Sequence, residues 1–145
     1  MTTKDIEDEL VTQITTLKDD DEAALFDRVE SLSQSEYRDN LKTDESAIAL
    51  VGFLEDNTTG YMPRLVVEET YTVTVISKKK GTDTASTPHV LCEAVRDLIH
   101  GKQFGNTDIM PFSYEGRKLV HYDGEYIAYE MRFTTNNILH VPSMT

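Results

Sequence analysis

Cysteine is almost absent: Cys92 stands alone in 145 residues, so no internal disulfide can form, which suits a reducing cytosol. No apolar run approaches the roughly 20 residues that a membrane-spanning helix requires. The N-terminus lacks the basic and apolar regions of a secretory signal, and neither an internal repeat nor a low-complexity tract is present. The expectation is one domain over residues 1–145, made and kept in the cytoplasm, and long enough to bury roughly two-thirds of what its unfolded chain exposes. Basic residues are scarce as well. Lys and Arg number 14 against 26 Asp and Glu, giving a formal charge of −12 and an isoelectric point near 4.6. Phosphate affinity comes from clustered Lys and Arg, so this balance argues against a protein that grips nucleic acid.

Signatures of catalysis are missing too. The chain contains no GxSxG, Walker A or GxGxxG motif. His89, His100, His121 and His140 are scattered along it without metal-ligand spacing. Cys92 is flanked by Leu91 and Glu93, with no basic neighbour in sequence to lower its pKa, and reads as a structural thiol. Carboxylates are abundant, but abundance does not identify a catalytic pair. No cofactor or metal is expected, and an enzyme is the lesser reading.

What the chain does contain is fold-bearing pattern. Thr87 as N-cap and Pro88 at the first helical position open a helix whose apolar face is Val90, Leu91, Ala94, Val95, Leu98 and Ile99. Gly101 stops it, and His100 sits where the helix dipole favours a positive charge. Thr2 and Asp5 resemble a capping box for an earlier helix, about Lys4 to Lys18, striped by Ile6, Leu10, Val11, Ile14 and Leu17. A short strand is expected around Leu25 to Ser31, while Ser33 to Ser46 could be a short helix or a loop.

Ala47 to Leu54 is nearly continuous apolar sequence, which predicts a strand buried on both faces. Gly52 within it marks a bulge or a close approach. Leu65 to Ser77 alternates Leu65, Val67, Tyr71, Val73 and Val75 with Glu68, Thr70, Thr72 and Thr74, the pattern of a half-exposed antiparallel strand. Lys118 to Tyr122 and Glu125 to Thr135 form a hairpin across Asp123-Gly124, which suits a type I′ turn, with Ile127, Tyr129, Met131 and Phe133 inward. The remaining glycines are read as turn residues. The fold class is therefore α+β: a mostly antiparallel sheet of four to five strands with two main helices packed against it.

Three features invite an interface reading. Lys78, Lys79 and Lys80 make a basic tip on an acidic body, either a solvated strand end or a contact for an acidic surface. The natural complement is the acidic loop Asp19, Asp20, Asp21 and Glu22. Tyr61-Met62-Pro63 and Met110-Pro111-Phe112 place large apolar groups beside proline in expected loops, where Tyr61, Met62, Met110 and Phe112 either cover the core or mark an assembly surface. A C-terminal tail over 136–145, apolar at Ile138, Leu139, Val141 and Met144, packs on its own domain or docks on a neighbour.

Taken in order, these words resemble a known family. A short N-terminal helix precedes the strand Ala49-Leu50-Val51-Gly52-Phe53-Leu54 and the long alternating strand Leu65 to Ser77. A helix ending Arg96-Asp97-Leu98-Ile99-His100-Gly101 and a hairpin ending Tyr129-Glu130-Met131-Arg132-Phe133 complete the series. The whole is similar to the tail-terminator or tail-completion proteins of long-tailed, Mu-like bacteriophages. That resemblance implies a non-enzymatic virion protein that forms a ring, typically a hexamer, on the finished tail tube. The ring would stop tube polymerisation and offer a surface for head-tail joining, with sheath and neck or connector proteins nearby and DNA passing through unbound. A neck or head-tail connector subunit, or a small acidic non-viral enzyme or binding module, remains as an alternative.

Overall fold

The computed structural model describes residues 2–32, 46–60, 64–78 and 87–140. Its elements run α1 (Thr3–Thr15), β1 (Arg28–Ser31), β2 (Ala47–Gly60), β3 (Arg64–Lys78), α2 (Thr87–Ile99), β4 (Ser113–Tyr122) and β5 (Tyr126–His140). The five strands form one sheet in the order β1-β2-β3-β5-β4. Only the β1–β2 pair is parallel; the other three ladders are antiparallel. Among the described residues two helices accompany this sheet, the expected α+β class.

The capping box forms as the sequence predicts. Asp5 N–H donates to the Thr2 hydroxyl at 3.1 Å and Thr2 N–H to the Asp5 carboxylate at 3.0 Å, which satisfies two orphan donors of the first turn. The helix buries Ile6, Leu10 and Ile14. It ends three residues short of Lys18, because the Thr15 and Thr16 hydroxyls fold back on the Val11 and Gln13 carbonyls and compete with helix continuation. At the end of α2, Gly101 has φ +78°, the left-handed cap that glycine adopts most easily.

Both helices pack on one sheet face, over Ala49, Val51, Tyr71, Val73, Val75, Met131 and Phe133. The opposite face carries a smaller cluster of Ile48, Leu50, Ile76, Tyr126 and Ala128, joined by Leu32. The first part of β2 is thus buried on both sides, as its sequence predicts. Gly52 is the point where Leu32 closes in: a Cβ there would stand 2.6 Å from Leu32 Cδ1 and 3.2 Å from Thr72 Oγ1. The register shifts of β2 fall later, between Phe53 and Glu55 and between Thr58 and Gly60.

Several expectations need correction. Thr70, Thr72 and Thr74 are buried, not half-exposed, because β3 lies at the centre of the sheet with β2 and β5 on its flanks. Glu69 shares the core face and is 5% exposed. Its carboxylate accepts hydrogen bonds from the Tyr71 hydroxyl at 3.0 Å, from Asn137 Nδ2 at 3.1 Å and from the Thr3 hydroxyl of α1 at 3.4 Å. A buried charge persists when its acceptor sites are filled in this way.

The Asp123-Gly124 connection is not a type I′ turn, since neither residue has positive φ. The Asp123 carboxylate instead accepts the Glu125 and Tyr126 N–H groups, each at 2.7 Å. Gly116 is no turn residue either; it lies within β4 at a bulge, with φ +121°. Val90 is 54% exposed and leaves the helix's apolar face, while Cys92 takes a core position. Residues 136–140 form the last stretch of β5, with Arg64 paired to His140, so this part of the expected tail packs on its own domain, and 141–145 lie outside the described residues. The Leu65 side chain and most of the Ser33 to Ser46 stretch lie outside the described residues.

Candidate assembly surfaces

The register of β2, β3 and β5 sorts the candidate residues between two ends of the sheet. At one end Ala47 pairs with Ser77 and Lys78 with Tyr126. Lys78 N–H donates to the Ser46 carbonyl, and the Ser46 and Ala47 N–H groups both donate to the Asp27 carboxylate, at 2.7 and 3.1 Å. Asp27 stands at the end of the loop that leaves α1, and its N–H donates to the Ala47 carbonyl.

That acidic loop has a defined shape. Asp19 accepts N–H groups from Asp21 at 2.8 Å and Ala23 at 3.0 Å, Lys18 bridges Ala24, and Glu22 takes φ 66°. One carboxylate therefore organises the turn, while residues 19–24 are all exposed. Lys78 is tied through Ser46 to Asp27, while Asp19, Asp20 and Asp21 form their own exposed turn between α1 and Asp27. Lys79 and Lys80 lie outside the described residues.

The opposite end is where Gly60 pairs with Val66 and Val66 with Ile138. Met110 N–H donates to the Asn136 carbonyl there, and the Met110 side chain is 48% exposed. Of the two alternatives for Phe112, the core one holds: it is 2% exposed, edge-on to Tyr71 at 6.2 Å and tilted against Phe104 at 6.1 Å, so it is not part of an exposed surface. Its proline-flanked triplet thus splits, one residue sealing the core and the other facing solvent. Tyr61 and Met62 lie outside the described residues, between Gly60 and Arg64. About ten residues of β5 separate the Lys78 and Met110 levels, which at ~3.3 Å each is roughly 33 Å.

The flank formed by β4 escaped sequence reasoning. Leu119, Val120 and Tyr122 are exposed by 52%, 39% and 65%, beside exposed Lys118. Two register shifts interrupt the β4–β5 ladder, between Tyr114 and Gly116 and between Leu119 and His121. The apolar run Leu119-Val120 was the available signal, but without the strand order nothing marked β4 as an edge.

Arg117 turns the other way. Its guanidinium reaches His89 Nδ1 at 3.1 Å and lies 5.8 Å from the centre of the Tyr129 ring. It also approaches Cys92, yet burial dominates and pushes that thiol up to about 11. A protonated thiol at that depth is inert at neutral pH. His100, in the turn after α2, accepts the Tyr114 N–H on its Nδ1 at 3.0 Å.

A depression of about 320 Å³ is bordered by Arg96, Asp97, His100 and Tyr114, where Arg96 already donates to Asp97 at 3.0 Å. Among the described residues no group of three or more His, Cys, Asp or Glu is placed to hold a metal ion, and no helix is long and apolar enough to cross a membrane.

No family model matches the chain, and no curated protein matches it. Among solved structures, a chain described as "Virion of native gene transfer agent (GTA) particle" is similar at a TM-score of 0.47 and 12% identity, covering 62% of this chain and 69% of that one.

Proposed function

We propose that this chain is a structural protein of a phage-like particle, one that closes the head-proximal end of a tail tube as a ring. In that place it ends tube polymerisation and presents the surface to which the head joins. The reading rests on the family resemblance of the sequence and on one structural observation: the surface is divided into chemically different regions. Lys78 lies at one end of the sheet, Met110 at the other, an exposed acidic turn follows α1, and exposed apolar side chains stand on β4.

A ring subunit needs that division. It meets a tube below, a head above, and a neighbour on each side through two non-identical patches, because head-to-tail contacts generate a closed ring. The charge of −12 per copy suits a passage through which DNA slides without sticking. Partners are other copies of the chain, typically six in all, and the tube protein, with sheath and neck or connector proteins adjoining. Lys78, together with the acidic Asp19, Asp20 and Asp21, suits a charged rim, and the exposed Met110 an apolar one at the opposite end of the sheet. No cofactor takes part and no substrate is transformed.

Electron microscopy of particles made without this chain tests the assignment. Overlong or unjoined tails are expected. Tailless, leaking heads would move the protein to the neck, and normal particles would remove it from the virion.

A further inference from the structure

We propose that the open edge of β2, from Leu54 to Asn57, pairs with the β4 edge of a second copy of this chain. This pairing, which rests on the ring reading above, is the lateral contact between neighbours. β1 covers the outer side of β2 only from Ile48 to Val51, with the Leu32 N–H on the Val51 carbonyl, and the Phe53 N–H is taken by the Glu7 carboxylate. From Leu54 to Thr58 every residue is exposed, and among the described residues no strand lies outside β2 there. Such an edge is a template for another strand.

The direction and phase of β4 suit that edge. β2 is antiparallel to β3, β3 to β5 and β5 to β4, so β4 runs opposite to β2. Copies set side by side in one orientation therefore bring β4 antiparallel to the next β2. Val51, Val73, Met131 and Arg117 form one row across the sheet. Val51 turns its carbonyl outward to Leu32, and alternation along the ladders then turns the backbone of Arg117 outward on β4 and that of Asp56 outward on β2. Arg117 neighbours Met131 and Asp56 neighbours Glu69, so both side chains belong to the helix-covered face. Set opposite each other, these two residues form a hydrogen-bonded antiparallel pair.

That register is also the one the charges select. With Arg117 opposite Asp56, Lys118 meets Glu55 on the other face and Leu119 reaches Leu54, both leucines being exposed. Opposite charges across a strand pair are favourable. A slip of two residues would set Arg117 and Lys118 against Thr58 and Asn57, or against Leu54 and Phe53. Register shifts flank Gly116 to Leu119 on β4 and bracket Glu55 to Thr58 on β2, which confines the pairing to this stretch and discourages further templating. The flanks differ in charge as a whole. Residues 1–60, which form α1, β1 and β2, carry 16 Asp and Glu against 5 Lys and Arg, while residues 87–140, with α2, β4 and β5, carry 7 against 5. Pairing one flank with the other is heterologous, the contact that closes rings. Glu55 lies level with Thr70, Thr134 and Ser113, and Lys118 with Glu130 and Thr74. The step between those levels is ~13 Å along the strands for ~19 Å across them, so the strands lean roughly 35° from the ring axis, a tilt that closed sheets adopt.

Lys118 and Glu55 would form a non-hydrogen-bonded pair with Cα atoms about 4.5 Å apart, within reach of a disulfide. The full-length chain carrying Lys118→Cys is mixed with the full-length chain carrying Glu55→Cys, together with purified tube protein, and oxidised with glutathione disulfide. Cys92 is fully buried and does not compete. The expected result is a disulfide-linked dimer from the mixture, absent when either variant is used alone. A dimer from one variant alone would overturn the head-to-tail contact, and rings that form without the disulfide would overturn the strand pairing while leaving the ring intact. If no ring forms with the unmodified chain, both fall. As a second arm, Lys118→Glu weakens assembly roughly tenfold, and Glu55→Lys in the same chain restores it. Unchanged assembly of the Lys118→Glu chain, or loss without restoration, counts against the register. Melting curves of all variants, matched to the unmodified chain, show that folding is intact.

Discussion

Replacing Tyr71 by Phe removes one hydroxyl from a buried polar contact of the core. The ring stays in place between Phe53, 5.6 Å away, and Phe112, 6.2 Å away, so packing is conserved. The lost bond is a 3.0 Å donation to the buried Glu69 carboxylate, and a hydrogen bond to a charged group contributes about 1.5–3 kcal/mol. Asn137 and Thr3 still donate to Glu69, which keeps the expected loss near the lower part of that range, about 2 kcal/mol. For a chain of this length that lowers Tm by roughly 6 °C.

The same substitution alters the response to alkali. Burial, and then the Glu69 charge, push the Tyr71 phenol well above its usual 10. Above pH 10 the unfolded chain releases this proton and the folded chain keeps it. Stability contributed by the neutral phenol is therefore complete below pH 10 and falls by ~1.4 kcal/mol per pH unit above it. Urea titrations of both proteins from pH 7 to 11 measure the two effects together. A Phe variant as stable as the parent at pH 7, with the same alkaline slope, would refute the buried carboxylate network.

Other outcomes follow from single contacts. The Cys92 thiol, raised from 9.0 to about 11 by burial, gives stability that is present below pH 9 and lost as pH rises toward 11; Cys92→Ala removes this loss in urea melts over that window. Gly52→Val drives a side chain into Leu32 and Thr72 and costs about 1–3 kcal/mol, and Leu32→Ala in the same chain recovers part of the loss. The Asp123 carboxyl, held down to about 2 by the Tyr126 N–H, by His121 and by the Glu125 N–H, titrates near pH 2 in a carbon-detected NMR series, so its turn persists as pH falls past 3.8 and is lost only near 2. A midpoint near 4 would deny that this side chain shapes the hairpin.

Elements written by local chemistry were legible: the Thr2–Asp5 box, the Gly101 cap, the doubly buried start of β2 and the helix-facing Met131 and Phe133. What depended on neighbours was not. Thr70, Thr72 and Thr74 read as a solvent face because threonine is polar, yet strands on both sides of β3 bury them. The polar run from Glu55 to Gly60 gave no strand signal, and ladder bonds to β3 extend β2 through it. Asp123-Gly124 carried the right residues for one turn and built another, since a carboxylate can close a hairpin by accepting N–H groups. Phe112 looked like a loop aromatic and proved to be a core residue. The exposed β4 row needed the sheet order to become visible, as did the meeting of Arg117 with Cys92.

The central claim is that this protein acts by assembling copies of itself on a tube. Light scattering and electron microscopy of the purified chain, alone and mixed with growing tubes of the tail-tube protein, test it most directly. The account predicts a ring of several copies seated at one tube end, with growth arrested there. A compact monomer that leaves the tubes uncapped and still lengthening would contradict it.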